Sequence, residues 1–188
     1  RSVIRSFPEI SFSIKMRLGI ERPDQWKDFC DLINTLHLRC VILHPRTAVQ
    51  QYKGELHMDQ LKCFCEEIHH PVVFNGEISF PDDIKRIHEG FPCLHGVMAG
   101  RGLLRRPSLF AEYISGICWD EDLMREKVID LHRGIFNYYS SVLCGDTQLL
   151  LKMKPLWEYL GSCFPKKQVK QIVKSHTISS YIASVEKL

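Results

Sequence analysis

The sequence predicts an α/β fold in which strands and helices alternate, followed by a region of helices alone. Four short hydrophobic runs recur about thirty residues apart, and each run ends in a polar or glycine-containing signature. The segments between the runs have the three-to-four-residue apolar spacing of amphipathic helices. In consecutive strand–helix units the strands are parallel, and functional residues collect at their carboxyl ends.

Each of the four predicted strands ends in polar or glycine residues of the kind found in binding and catalytic sites. With their signatures, the runs cover residues 11–19, 41–47, 72–77 and 97–102. In the first run polar and apolar residues alternate, so Lys15 and Arg17 share one face of the strand. The same alternation places His44 and Arg46 on one face of the second strand. In a closed barrel these side chains would point inward, near the carboxyl mouth.

The connecting segments are predicted to be helices. Apolar residues at helical spacing cover 24–37, 58–69, 79–90 and 107–117. Beyond Cys118 no strand signal recurs, and residues 120–143 form one long amphipathic pattern. Further helical segments cover 146–160, 166–176 and 178–185, with Pro155 expected to interrupt the first of them. We therefore expect two domains, residues 1–118 and 119–188.

Composition excludes several classes of protein. The apolar content of 45% and the charged content of 25% are those of a soluble globular protein. No apolar stretch is long enough to span a membrane, and no signal-peptide pattern opens the sequence, so we expect a cytoplasmic protein. The first residue is arginine rather than methionine, which suggests part of a longer protein.

The charge distribution is more informative than the net charge of +3. Residues 152–176 contain six lysines against the single acidic residue Glu158. Such a segment is a candidate phosphate-facing surface. A solvated helix face explains the same pattern, and charge alone does not separate the two interpretations.

The eight cysteines predict neither a disulfide framework nor a metal site. None forms a C-x-x-C pair, and one intervening residue separates Cys63 from Cys65, which does not fit a zinc knuckle. We interpret the cysteines as reduced core thiols of a cytosolic protein and expect no bound metal.

Glycine signatures follow the third and fourth strands. Asn75-Gly76-Glu77 and Gly100-Arg101-Gly102 can each expose backbone N–H groups to an anion, and Arg101 can add a guanidinium. Singly, these tripeptides are ordinary turn chemistry. At the ends of consecutive strands they favour a shared phosphate site.

Three polar residues of the first two predicted strands are candidate site residues, and Lys15 and His44 each have an alternative interpretation. Lys15 is suited to contact the edge of an anionic cofactor, or to lie solvated at the rim. His44 could hydrogen-bond a ring system or an RNA base, or could be structural. Arg46 on an inward face requires a partner if it is buried.

Taken together, these motifs resemble the carboxyl-terminal part of the tRNA-dihydrouridine synthases. The matching stretches are residues 15–19, 44–47, 52–54, 71–78, 96–102 and 152–154, the last with Trp157 and Tyr159 nearby. The family is a flavin-dependent TIM (β/α)8 barrel followed by a helical domain that helps to bind tRNA. It reduces the C5–C6 double bond of selected uridines to dihydrouridine.

The resemblance implies a carboxyl-terminal half-barrel of four βα units followed by a small all-α bundle. It also implies roles for individual residues. Lys15 and His44 would contact the FMN ring, Arg46 would lie near the substrate base, and Lys152 and Lys154 would bind tRNA. The ribityl phosphate of FMN would be held by Asn75, Gly76, Glu77, Gly100 and Arg101. NADPH would serve as the reductant.

This sequence also departs from the family. The proton-donating cysteine of the family lies on a loop of the amino-terminal half-barrel, so we expect no catalytic residue in this chain. We expect a missing half-barrel to cover the open sheet edges and the isolated chain to have little activity. Two alternatives remain: another FMN- or phosphate-binding barrel acting on a free pyrimidine, and a non-catalytic tRNA-binding module.

Overall fold

A computed structural model describes residues 2–188 of the chain. These residues divide into two compact units. The first unit contains residues up to 78 together with 82–100, and the second contains 79–81 together with 101–188.

The first unit is a four-stranded parallel sheet with helices between its strands. Its elements are α1 (Ser2–Ser6), β1 (Ser13–Gly19), α2 (Lys27–Asn34), β2 (Cys40–Thr47), α3 (Met58–Glu67), β3 (Val72–Phe74), α4 (Pro81–Gly90) and β4 (Gly96–Val97). The strand order is β1-β2-β3-β4, and every neighbouring pair is parallel. The prediction of successive strand–helix units is confirmed.

The register of the sheet separates its two faces. Met16 of β1 pairs with Leu43 of β2, which pairs with Phe74 of β3, and this row belongs to the buried apolar face. Lys15 pairs with Ile42, and Arg17 with His44, so the polar residues of β1 and β2 share the other face. The alternation in the sequence predicted this division.

Helices α2 and α3 cover the apolar face and complete the core of the first unit. Trp26, just before α2, meets Phe64 of α3 edge to face with ring centroids 5.0 Å apart, and both are fully buried. The indole Nε1 of Trp26 donates to Oε1 of Gln60 at 3.1 Å. A buried polar group is thus satisfied where the two helices pack.

The second unit is helical. Its elements are α5 (Arg101–Arg105), α6 (Leu109–Ser115), α7 (Glu121–Val142), α8 (Asp146–Met153), α9 (Trp157–Leu160), α10 (Lys166–Lys174) and α11 (Ile178–Val185). A 3-10 turn at Lys154–Leu156 separates α8 from α9. The expected interruption at Pro155 is confirmed, because proline cannot donate the hydrogen bond that would continue α8.

Side-chain caps fix the ends of two helices in this unit. The Asp120 carboxylate accepts from the N–H of Leu123 at 2.8 Å and begins α7. Thr177 and Ser180 form a reciprocal capping box at the start of α11. The predicted long helix over 120–143 is confirmed to within one residue at each end.

The core of the helical unit contains a polar network. The Tyr181 hydroxyl accepts from Nε1 of Trp157 at 2.9 Å and lies 2.7 Å from Nε2 of His132. All three residues are buried among apolar side chains from α7 to α11. Burial lowers the pKa of His132 to about 4 and raises that of Tyr181 to about 12, so both are neutral near pH 7.

The compact units divide between residues 100 and 101, whereas the sequence places the change of character near 118. Buried Glu112 of α6 explains why residues 101–118 group with the later helices. Its carboxylate accepts from Arg106 at 2.6 and 2.7 Å and from the N–H of Trp119 at 3.0 Å. The functional division into 1–118 and 119–188 stays a prediction.

The structure corrects the interpretation of the cysteines as core thiols. Cys30 is buried, but Cys93, Cys118 and Cys144 are exposed, because they lie in segments that connect successive elements. Within residues 2–188 no group of three or more potential ligands could hold a metal ion. No helix of the described chain combines the length and apolar character needed to cross a membrane.

Candidate functional site

Polar and glycine residues gather at the carboxyl ends of the strands in the first unit. We call this group the strand-end cluster; it consists of Lys15, His44, Arg46, Asn75, Gly76, Glu77 and Gly100. The ends of β3 and β4 are adjacent within it, since Phe74 pairs with Val97. Nδ2 of Asn75 donates to the carbonyl of Met98 at 2.7 Å and ties the two ends together.

The glycines of the cluster carry unused donors. Within residues 2–188 the backbone N–H groups of Gly76 and Gly100 make no hydrogen bond, although Gly76 is buried. A Cβ at Gly76 would lie 3.1 Å from both Leu56 and Phe74, so this position is already tightly packed. A Cβ at Gly100 would meet nothing within 4 Å. Two N–H groups at adjacent strand ends, one beside open space, fit an anionic ligand such as a phosphate.

Arg46 is buried, and two of its three guanidinium nitrogens have partners. Its side chain is 2% exposed. Its Nε and Nη2 donate to the carbonyl of Gly54 at 3.2 and 2.5 Å, and Nη2 also forms an ion pair with Glu77. The expectation that a buried arginine needs a partner is therefore met. The guanidinium joins the loop after β2 to the end of β3.

Glu77 has a backbone conformation that is uncommon for its residue type. Its φ is +41°, in the left-handed region that favours glycine, asparagine and aspartate. Its side chain is 60% exposed, although one carboxylate oxygen is paired with Arg46. Non-glycine residues held in this region are found preferentially at ligand sites. The ion pair fixes the carboxylate while leaving it accessible from solvent.

His44 is buried at the end of β2 beside positive charge. Burial, followed by the nearby charges of Arg17, Arg46 and Lys15, lowers its pKa to about 4, although Glu77 acts in the opposite direction. The imidazole is therefore neutral near pH 7. A neutral imidazole can donate one hydrogen bond and accept another, which suits recognition of a heteroaromatic ring.

The loop after β2 contributes residues to which sequence reasoning gave no role. The Tyr52 ring lies 6.4 Å from the His44 ring and 5.5 Å from the guanidinium of Arg17, measured to its centroid. Nη1 of Arg17 donates to the carbonyl of Thr47 at 2.7 Å. Because Lys15 and Arg17 share one face of the predicted strand, the alternation pattern could have identified Arg17 as a site residue. Tyr52 had no periodic signal, because loop folding brings it back over the strand ends; the family resemblance of residues 52–54 pointed only to its loop.

The remaining predicted residues are one lysine of the strand-end cluster and three residues of the helical unit. Lys15 is exposed on β1. Arg101 begins α5, and Lys152 and Lys154 lie at the end of α8 and in the turn that follows, all in the helical unit. In the described part of the chain, none of the six lysines between 152 and 174 forms a salt bridge. The roles of Arg101, Lys152 and Lys154 stay predictions.

The parallel βα units and their polar strand ends define the first unit as part of a (β/α) barrel. The second unit is a helical bundle. Residues 3–180 match the family described as dihydrouridine synthase (Dus). The chain therefore belongs to the dihydrouridine synthase family, and the first unit corresponds to half of its TIM barrel.

Individual relatives agree with this assignment. The tRNA-dihydrouridine(16) synthase of Aquipseudomonas alcaligenes is 34% identical over 110 residues, which are 58% of this chain and 35% of the relative. The tRNA-dihydrouridine synthase B of Vibrio parahaemolyticus is 26% identical over 176 residues, 92% of this chain and 50% of the relative. A tRNA-dihydrouridine(20a/20b) synthase, NAD(P)+-like, of Homo sapiens is 30% identical over 106 residues, 56% and 32% respectively. The chain spans half or less of the length of these relatives.

Proposed function

We propose that this chain is the carboxyl-terminal portion of an FMN-dependent enzyme that reduces uridine to 5,6-dihydrouridine in tRNA. The observation that carries the proposal is the junction of β3 and β4, where Asn75 bonds to Met98 and two glycine N–H groups have no partner in the described residues. Membership of the dihydrouridine synthase family supports FMN as the phosphate-bearing ligand.

The residues of the strand-end cluster have distinct proposed roles. Gly76 and Gly100 donate N–H groups to the phosphate, and Arg101, the next residue along the chain, supplies a guanidinium. Asn75 holds the two strand ends in place. Glu77, fixed by Arg46, accepts hydrogen bonds from ribityl hydroxyls. Bound FMN would supply the hydride chemistry, which no side chain can provide.

The remaining polar residues are assigned to the flavin ring and the substrate base. Exposed Lys15 places a cation beside the electron-rich edge of the ring, and neutral His44 donates a hydrogen bond to it. Arg46 is assigned to the substrate base. Because its guanidinium is engaged by Gly54 and Glu77, we expect it to act on the base mainly by fixing that loop.

The helical unit is proposed to bind the tRNA backbone. On α10 the exposed residues include Lys166 and Lys167 in the first turn, where positive charge opposes the helix dipole. Because these lysines are unfavourable for the helix itself, their position supports a role in contact with phosphates. Lys152 and Lys154 extend the same basic character. Reduction of a base in folded tRNA also requires that the base leave its stack to reach a barrel mouth.

The full-length protein containing this chain tests the proposal. Incubated with FMN, NADPH and unmodified tRNA, it is expected to form dihydrouridine, while the 188-residue chain alone forms little or none. NADPH is chosen because a nicotinamide reductant is implied, as in the name of the human relative. A colourless full-length protein that binds tRNA would favour the non-catalytic alternative. A yellow protein whose tRNA affinity is unaffected by salt would favour a free pyrimidine as substrate.

A further inference from the structure

Two cysteines from different elements face one cavity on the helix-covered side of the first unit. The cavity has a volume of about 540 Å3 and is lined by Cys65 of α3 and by Cys93, with Met58, Lys62 and Phe91 around them. Cys93 lies in the short segment between α4 and β4 and is exposed, whereas Cys65 is half-buried. Neither residue belongs to the strand-end cluster.

The segment that carries Cys93 is fixed opposite α3. The N–H of Phe91 donates to Ile87 at 2.9 Å, and that of Leu94 donates to Phe91 at 3.1 Å. The N–H of His95 then joins β3 through the carbonyl of Val72 at 2.9 Å. Cys93 is therefore presented by a turn that is anchored on both sides, and approach to Cys65 does not depend on a mobile loop.

The two thiols are neighbours across this cavity. Burial raises the pKa of Cys65 to about 12, and the neighbouring Cys93 and the charge of Glu66 add to this effect. Because both thiols line the same cavity, the two sulfurs can approach one another across it. Cys63, two residues earlier on α3, does not line the cavity.

We propose that Cys65 and Cys93 form a dithiol site that is oxidised to an intramolecular disulfide by a small disulfide of the glutathione class. The exposed Cys93 thiolate attacks one sulfur of glutathione disulfide, the S–S bond breaks, and one glutathione leaves as its thiol after taking up a proton. The Cys65 thiolate then attacks the Cys93 sulfur of the mixed disulfide and releases the second glutathione. Two cysteine thiols are oxidised, and one glutathione disulfide is reduced to two thiols.

The order of attack follows from the environment of each sulfur. Cys93 is accessible, whereas Cys65 is shielded and its ionisation is opposed by a neighbouring Cys93 thiolate. Once Cys93 is held in a mixed disulfide it carries no charge, and this opposition disappears. Cys65 is then a better nucleophile beside the sulfur that it must attack. The product joins α3 to the segment leading into β4.

Peptide mapping tests the proposal. The purified protein is treated with glutathione disulfide, blocked with iodoacetamide and digested with trypsin, which releases peptides 63–85 and 87–101. We expect these peptides to be joined, with a loss of two of the eight free thiols of this sequence and full reversal by dithiothreitol. Fragment ions of the joined species are expected to place the bond on Cys65 rather than on Cys63.

Single substitutions provide matched controls. Cys63→Ser is expected to leave the cross-link intact, whereas Cys65→Ser abolishes it and leaves glutathione on Cys93. The wild-type fragment ions decide the result even if a variant folds poorly. A glutathione adduct that persists on wild-type Cys93, or a cross-link through Cys63, would overturn the proposal.

Discussion

Arg46 is a single residue whose contacts hold several parts of the strand-end cluster together. Its buried guanidinium satisfies the Gly54 carbonyl and neutralises Glu77, whose backbone is held at a positive φ. Loss of the guanidinium would leave a carbonyl without its donor and a carboxylate without its counter-charge. The stability and the geometry of the strand-end cluster therefore depend on the same side chain.

At this scale we predict that Arg46→Met destabilises the protein by about 2–4 kcal/mol, since buried hydrogen bonds and an ion pair are lost together. Arg22→Met is the control, because Arg22 is 63% exposed and makes only surface ion pairs. Its effect is expected to be below about 1 kcal/mol. Urea denaturation measures both variants. Equal effects would show that the Arg46 contacts contribute no more than a surface pair.

At the scale of elements, the helix ends show most clearly how single residues determine where a helix begins. Asp120 has the extended backbone of an N-cap, and its carboxylate holds the first turn of the long helix α7. The neighbouring Asp122 lies inside that turn, is 94% exposed and pairs only with Arg125 at the surface. The two aspartates differ in their structural role although both are acidic and close in sequence.

We therefore predict that Asp120→Ala lowers the free energy of unfolding by about 1 kcal/mol, the usual contribution of an N-cap. Asp122→Ala is expected to cost less than half as much, because an exposed i,i+3 pair contributes little. Thermal or urea denaturation at neutral pH compares them. A larger loss for Asp122→Ala would contradict the assignment of Asp120 as the cap.

The basic face of α10 leads to a prediction about binding. In the full-length protein, Lys167→Ala and Lys170→Ala together are expected to weaken tRNA binding at least several-fold and to reduce the salt slope by about 2. Lys27→Ala, in the first unit, is the control and is expected to change neither quantity. Filter binding of tRNA across a salt series measures both. An unchanged slope in the double variant would mean that α10 does not contact phosphates.

The sequence was most informative about those elements whose pattern is local. Period-two alternation correctly divided β1 and β2 into faces, and Asp120 and Pro155 marked real helix ends. Contacts made through folded loops carried no such pattern. Tyr52 returns over the strand ends only because residues 48–57 fold back, and the Arg46–Glu77 pair joins residues 31 positions apart.

At the scale of the whole molecule, each unit contains one buried histidine within residues 2–188. The pKa of His44 and that of His132 are both lowered to about 4, chiefly by burial. In the unfolded chain these side chains regain the ordinary value near 6.5 and bind protons more readily. Protonation between pH 6.5 and 4 therefore favours unfolding, and stability is lost as the pH falls through this range.

We predict that the free energy of unfolding decreases by about 2 kcal/mol per buried histidine between pH 7 and pH 5. Removing one buried histidine reduces the pH dependence of the free energy of unfolding, so His132→Gln is expected to flatten the profile of this free energy against pH. The control His176→Gln alters an exposed residue and is expected to leave the profile unchanged. Urea denaturation at a series of pH values provides the test. A profile of His132→Gln as steep as that of the wild type would contradict this account.

We propose above all that the adjacent ends of β3 and β4 hold the phosphate of a flavin. Gly100→Ala tests it most directly, because a Cβ at that position meets nothing within 4 Å and the fold should tolerate it, while a bound phosphate would be displaced. Gly90→Ala is the matched control, since its Cβ also has open space, at the end of α4. In the purified full-length protein we expect flavin absorbance to fall at least fivefold for Gly100→Ala and to be unchanged for Gly90→Ala. Full flavin content in a folded Gly100→Ala variant, or no flavin in the wild type, would contradict the account.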